Sequence, residues 1–168
     1  MPQLNRDVRH PVTFTLNGKV VSGHAEPRML LSDFLIQELG LTSMHVGCEH
    51  GVCGACTLRI DGQVARACLT FAVQIDGRRV DTVEGLAAGA DELTELQKAF
   101  RKHHALQCGY CTPGILMSTV DYLERHPDPT EEEVRDMLSG HLCRCTGYVG
   151  MVRAILDVAQ QRNAAAAE

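Results

Sequence analysis

The sequence predicts an α+β chain, a β-rich N-terminal half with one helix followed by an all-α half of four helices. Three observations carry this. Apolar and polar residues alternate on both sides of Asn17-Gly18 and again around Asp61-Gly62, dipeptides that suit two-residue hairpin turns. Beyond "LAAGAD" apolar residues recur at helical spacing instead. No strand signal returns after that stretch, so the boundary falls near residues 81–90 and divides the chain into 1–82 and 83–168.

"VTFTLNGKVVSGHA", from Val12 to Ala25, predicts the first hairpin. A helix follows in "MLLSDFLIQELGL", where Leu31, Phe34, Leu35 and Leu39 share a face and Gly40 suits the left-handed cap position. "CTLRIDGQVARAC" predicts the second hairpin, and "QIDGRRVDTVEG" a turn and a short strand. In the second half, Leu93, Leu96 and Phe100 mark one helix, and Leu116, Val120 and Leu123 another that stops before Pro127. Thr130 and Glu133 form a capping box for a third helix ending at Leu138 and Gly140. Val152, Ile155, Leu156 and Ala159 mark the last, with "NAAAAE" as a frayed tail. No internal repeat relates the halves.

Composition excludes several classes. With 168 residues, 45% hydrophobic and 22% charged, the chain is an ordinary globular sequence with room for two small domains. A net charge of -5 without a lysine or arginine cluster argues against nucleic acid and anionic membranes, because nothing would neutralise phosphates. Partners are expected to be proteins. No apolar run approaches the roughly 18 residues of a bilayer span, and "MPQLNRDVRH" lacks the apolar stretch of a signal peptide, so a cytoplasmic location is expected. Eight cysteines in such a chain point to metal rather than to a disulfide framework.

Their spacing sorts them into two groups. In "GCEHGVCGAC" Cys48, Cys53 and Cys56 are separated by four and then two residues, and Cys68 follows after eleven more. This is the spacing of plant-type 2Fe-2S ligation. Gly47, Gly51 and Gly54 let a tight loop wrap a cluster and aim N-H groups at sulfur. If Asp61-Gly62 is a two-residue turn, antiparallel register sets Cys68 opposite Ala55, beside Cys56. Cys108 and Cys111 in "LQCGYCTPG" need two further ligands, and Cys143 and Cys145 in "HLCRCTGY" are the cysteines left over. Thr112-Pro113 reads as N-cap and first helical position, and Thr146-Gly147 precedes the last helix, so two helix N-termini can face one anionic site. Gly109 and Gly54 are positions for backbone tuning of the clusters. Four thiolates also suit structural zinc, and Cys108 with Cys111 also resembles a redox pair.

Taken in order, "CEHGVCGAC", "QCGYCTPG" and "HLCRCTGY" resemble the small iron-sulfur subunit of the molybdenum hydroxylases, the xanthine dehydrogenase, carbon monoxide dehydrogenase and quinoline 2-oxidoreductase type. All eight cysteines fall on that family's ligand positions, and the match covers nearly the whole chain. The resemblance implies a β-grasp, plant-type ferredoxin-like domain with one 2Fe-2S cluster and a four-helix domain with a second. It also implies a large subunit carrying a molybdopterin dinucleotide, a medium subunit carrying FAD, and assembly as a dimer of heterotrimers. Electrons would pass singly from molybdopterin through both clusters to FAD, and no residue of this chain would be catalytic. Carried over by motif, Gln107 and Cys145 lie near the pterin, so the helical-domain cluster is the one proximal to molybdenum. The substrate would be an aromatic N-heterocycle, an aldehyde, a purine or carbon monoxide.

His50 and His141 depart from the family's usual residues and read as surface variation. His45, His103 and His104 read as solvated or packing residues, and Met29, Met117 and Met137 as core. The dinucleotide fingerprint and the phosphate loop are both missing, so flavin or nicotinamide is expected elsewhere. Two competing readings are a stand-alone ferredoxin-like redox protein and a zinc-binding interaction module.

Overall fold

Both hairpin dipeptides take left-handed backbone angles, with φ of 49° and 80° at Asn17-Gly18 and 50° and 81° at Asp61-Gly62. A tight hairpin turn whose twist matches the flanking strands requires this. In the computed structural model, which describes residues 4–87, 89, 92–145 and 147–166, the turns join β1 (His10–Leu16) to β2 (Lys19–Ala25) and β3 (Thr57–Ile60) to β4 (Gln63–Arg66). The short strand read in "RRVD" is β5 (Arg79–Asp81), and it lies at the centre of the sheet. The order is β2-β1-β5-β3-β4, with β5 parallel to β1 and antiparallel to β3. A long connection therefore returns between the two hairpins and welds them into one sheet.

Val12, Phe14 and Leu16 of β1, Leu58 and Ile60 of β3 and Val80 of β5 turn to one face and are buried. The helix predicted after the hairpin covers them. It begins as α1 (Leu31–Asp33) and continues as a π-helical turn over Phe34–Glu38, closed by the Leu39 N-H to the Phe34 carbonyl at 3.2 Å. Leu31, Phe34 and Leu35 are fully buried, each contributing about 1.5–3 kcal/mol by leaving water. Gly40 ends the segment at φ 70°, the left-handed cap expected of it.

Among the described residues the second half holds four helices: α2 (Glu95–Lys102), α3 (Thr112–Arg125), α4 (Glu131–Ser139) and α5 (Tyr148–Ala166). The capping box at Thr130 and Glu133 forms as expected, and a second one opens α2 at Thr94 and Gln97. The helices enclose their own core, built on Phe100, Ile115, Leu123, Val134, Met151 and Ile155. Asp157 ties α5 to α2, accepting from Lys102 Nζ and His103 Nε2 at 2.7 Å each. "NAAAAE" is no frayed tail as far as Ala166. Alanine is the best helix former, and Asn163 anchors the end by donating to the Pro127 carbonyl at 3.2 Å. Thr146, expected near the start of α5, lies outside the described residues, as do Ala88, Ala90, Asp91, Ala167 and Glu168 of the expected boundary and tail.

The two cores meet along α3, which lies against β3 and β4. Arg59 of β3 reaches Glu124 Oε1 at 3.2 Å and Asp121 Oδ1 at 3.5 Å, and Asp121 also pairs with Arg125. Arg66 of β4 donates to the Gly140 carbonyl at 3.0 Å. Among the described residues, no helix is long and apolar enough to cross a membrane.

Candidate metal centres

The first group of thiols gathers where the loop leaving the π-helical turn enters β3. Positive φ at Gly51 (81°) and Gly54 (75°) folds this loop back on itself. The Cys53 N-H points at Cys48 Sγ, 3.4 Å away. That amide, aided by those of His50 and Val52, holds the Cys48 thiol down at about 6, because N-H donors favour the thiolate. A Cβ at Gly47 would stand 3.2 Å from Cys53 Sγ, so glycine there leaves room beside the sulfur. The predicted register holds as far as the Ala67 N-H, which donates to the Cys56 carbonyl at 3.1 Å. β4 has already ended at Arg66, however, and Cys68 is delivered by a 3₁₀ turn over Ala67–Leu69 rather than by the strand. Tightening the chain there brings its thiol against that of Cys56. Burial first, and the Cys56 thiol second, push Cys68 up to about 11.

The second group draws on two segments, Cys108 and Cys111 ahead of α3 and Cys143 and Cys145 between α4 and α5. Thr112 is not the N-cap of α3. Cys111 occupies that position with helical backbone angles, and Thr112 is the first helical residue, because the tight turn at Gly109 (φ 83°) already directs the chain into the helix. A cysteine sulfur thus stands at the positive end of a helix of 14 residues. Cys111 is pushed up to about 12 by burial and by the adjacent Cys143 thiol. Cys108 is lowered by the Tyr110 N-H and by the Cys145 thiol. Gln107 Nε2 donates to the Cys145 carbonyl at 2.9 Å on the exposed edge of this group.

Tyr148 organises the Cys143 segment. Its hydroxyl accepts from the Cys143 N-H at 2.8 Å and donates to the His141 carbonyl at 2.9 Å. Tyr148→Phe orphans both groups, so it is expected to destabilise the protein by about 1–3 kcal/mol. Chemical denaturation checks this, and an unchanged midpoint would count against the bridge.

None of the eight cysteines is in a disulfide. In each group the thiols meet two and two, Cys48 with Cys53 and Cys56 with Cys68, then Cys108 with Cys145 and Cys111 with Cys143. Among the described residues no three His, Cys, Asp or Glu side chains are placed to hold one ion. Paired thiolates around two irons satisfy this geometry better than four around one zinc. Among the described residues Thr112 Oγ1, on the residue after Cys111, is a buried polar atom without a partner. The residues fit a 2Fe-2S cluster at each site.

Residues that sequence reasoning missed hold the two sites together. His141 is not surface variation. It is 2% exposed, sits between the halves with Nε2 2.8 Å from Ser118 Oγ, and burial lowers it to about 4. His50, by contrast, is exposed. A Cβ at Gly54 would stand 2.4 Å from His141 Nδ1, and one at Gly114 would stand 2.1 Å from the Gly54 carbonyl oxygen. The Leu142 N-H donates to the Cys53 carbonyl at 2.9 Å, linking the two cysteine segments directly. Tyr110 adds a second link, with its hydroxyl on the Val46 carbonyl at 2.7 Å and its ring stacked on His45 at 4.5 Å. The one sequence signal was Gly114 itself, a glycine in a helix start that asks for a close-packing reason.

Residues 82–156 match a [2Fe-2S] binding domain and residues 37–101 a 2Fe-2S iron-sulfur cluster binding domain. Fold and sites together define a two-centre iron-sulfur protein, a ferredoxin-like domain followed by a helical one. The chain is 51% identical over 153 residues to the nicotine 6-hydroxylase small subunit of Paenarthrobacter nicotinovorans, covering 91% of this chain and 92% of the relative. It is 48% identical over 163 residues to the caffeine dehydrogenase subunit gamma of a Pseudomonas species (strain CBB1), covering 95% and 96%. In structure it matches a chain of quinoline 2-oxidoreductase from Pseudomonas putida 86 with a TM-score of 0.87 at 48% identity, covering 92% and 96%. The protein belongs to the small iron-sulfur subunits of the molybdenum hydroxylase family. It is an electron-transfer subunit of a multi-subunit oxidoreductase.

Proposed function

We propose that Cys48, Cys53, Cys56 and Cys68 ligate one 2Fe-2S cluster in a domain spanning 1–82, and that Cys108, Cys111, Cys143 and Cys145 ligate a second in a domain spanning 83–168. The observation that carries this is the two-and-two meeting of thiols in each group. When bound, each cluster takes up and releases one electron at a time, which divides a paired oxidation into single transfers. The chain's own residues set the conditions for this. The Cys53 and Tyr110 amides stabilise thiolates at Cys48 and Cys108, and Gly47, Gly51, Gly54 and Gly109 shape the loops. The Cys53–Leu142 hydrogen bond joins the two centres by a short path of covalent bonds and one hydrogen bond.

The direction is the one the family resemblance implies: in this reading the exposed edge at Gln107 and Cys145 faces the molybdopterin dinucleotide of a large subunit, while the Cys48 side faces the FAD of a medium subunit. Exposed apolar side chains adjoin both groups, Val52, Leu69 and Phe71 at the first and Leu106, Leu142 and Val149 at the second. Such surfaces suit docking to partner chains rather than a free ferredoxin. The assembly is a dimer of heterotrimers in the cytoplasm, and its substrate an aromatic N-heterocycle, in keeping with the nicotine, caffeine and quinoline in the relatives' names.

Metal analysis tests the reading. Purified protein is expected to be red-brown with about four irons per chain, and reduction is expected to produce two distinct paramagnetic signals. Colourless protein with zinc in place of iron would overturn it.

A further inference from the structure

We propose that the Thr112 hydroxyl donates a hydrogen bond to a sulfur of the second cluster and raises that cluster's reduction potential. This rests on the reading of Cys108, Cys111, Cys143 and Cys145 as its ligands.

Thr112 follows Cys111 directly and takes the first helical position of α3. A threonine one residue earlier, at the N-cap, would turn its oxygen onto the free amides of the first turn. Here Cys111 holds the cap position and no side-chain cap hydrogen bond forms. Thr112 Oγ1 is instead sealed from solvent with no partner among the described residues. A buried hydroxyl left unpaired carries its full desolvation penalty, so native structures nearly always supply a partner.

The neighbouring chemistry indicates which partner. The adjacent Cys111 side chain is buried, and its thiol lies against that of Cys143. No cysteine sulfur makes that hydrogen bond, so the acceptors that the centre adds there are the sulfides of a negatively charged group. A hydroxyl is both donor and acceptor, and against such a group it acts as donor. Ser32 Oγ and Thr119 Oγ1 are also without partners among the described residues, but Ser32 lies in α1 and Thr119 two turns further along α3, neither next to a cysteine in sequence. His141 Nδ1 packs against Gly54, which leaves Thr112 as the unpaired hydroxyl beside a ligand.

The sign is determined by charge. Reduction adds negative charge to the cluster, so a donor stabilises the reduced form more than the oxidised form and raises the potential. Removing the hydroxyl lowers it. Thr112 is accordingly a tuning residue rather than a ligand.

The test is a redox titration of the full chain followed by electron paramagnetic resonance, which reads each cluster separately, in wild type, Thr112→Val, Thr112→Ala and Thr112→Ser. Val and Ala are expected to shift the second cluster to lower potential by similar amounts. The first cluster stays unmoved, and Ser titrates with wild type. Unmoved potentials in both Val and Ala would overturn the proposal, as would a shift in Val alone, which would mark a steric effect. Equal shifts of both clusters would mark general loosening and overturn it as well. If Val fails to assemble, Ala against Ser still decides. Absence of any 2Fe-2S signal from wild type would instead overturn the ligand assignment beneath it.

Discussion

Gly114→Ala is expected to lower the thermal midpoint by about 4–8 °C. The new methyl would stand 2.1 Å from the Gly54 carbonyl oxygen and 2.9 Å from that of Ala55. Both are backbone atoms of the loop that carries Cys53 and Cys56, so no flexible side chain can yield. Alanine improves helix propensity by about 1 kcal/mol over glycine, which opposes the clash. Overpacking of a tight contact costs about 1–3 kcal/mol and occasionally more, and a contact this short belongs at the upper end. A net loss near 2 kcal/mol corresponds to the stated shift at about 2–4 °C per kcal/mol for a chain of this size. The competing expectation, that an alanine in a helix stabilises, has the opposite sign. A thermal melt therefore decides cleanly, and a raised or unchanged midpoint would show that α3 does not sit on the first loop as described.

Cys143→Ser is expected to halve the iron, from about four to about two per chain, and to abolish the signal of the second cluster while sparing the first. Serine offers a hard oxygen in place of a soft thiolate. It also removes the sulfur against which the buried Cys111 thiol rests. Structural metal binding contributes folding free energy outright, so the helical half should melt earlier than in wild type, read as a separate transition by circular dichroism. The N-terminal half, with a core of its own around Phe34 and Leu58, should keep its midpoint. Unchanged iron content together with an unchanged midpoint would refute the assignment of Cys143.

Much of this was legible in local sequence. The turns at Asn17-Gly18 and Asp61-Gly62, the cap at Gly40 and the capping box at Thr130 depend on a few neighbouring residues, and each formed where it was predicted. The spacing of Cys48, Cys53 and Cys56 within one loop is likewise a local property. Other features are not local: the turn at Gly109, not cap preference, sets the entry to α3 and puts Cys111 at its N-cap in place of Thr112. The tail stays helical through a contact between Asn163 and Pro127 that spans 36 positions. The burial of His141 depends on Ser118 and Gly54, which lie far from it in sequence.

The sequence by itself determined the α+β order of elements, which follows from short-range patterning and backbone preference, and its cysteine motifs carried the resemblance to the family. Only the tertiary structure decided that β5 joins the hairpins into one sheet, that Gly54 and Gly114 let two backbones touch, and that the Cys53 carbonyl meets the Leu142 amide. Those are contacts between segments distant in the chain. They are settled by which apolar faces must be buried together and how closely the backbones can then approach, and no local pattern encodes that.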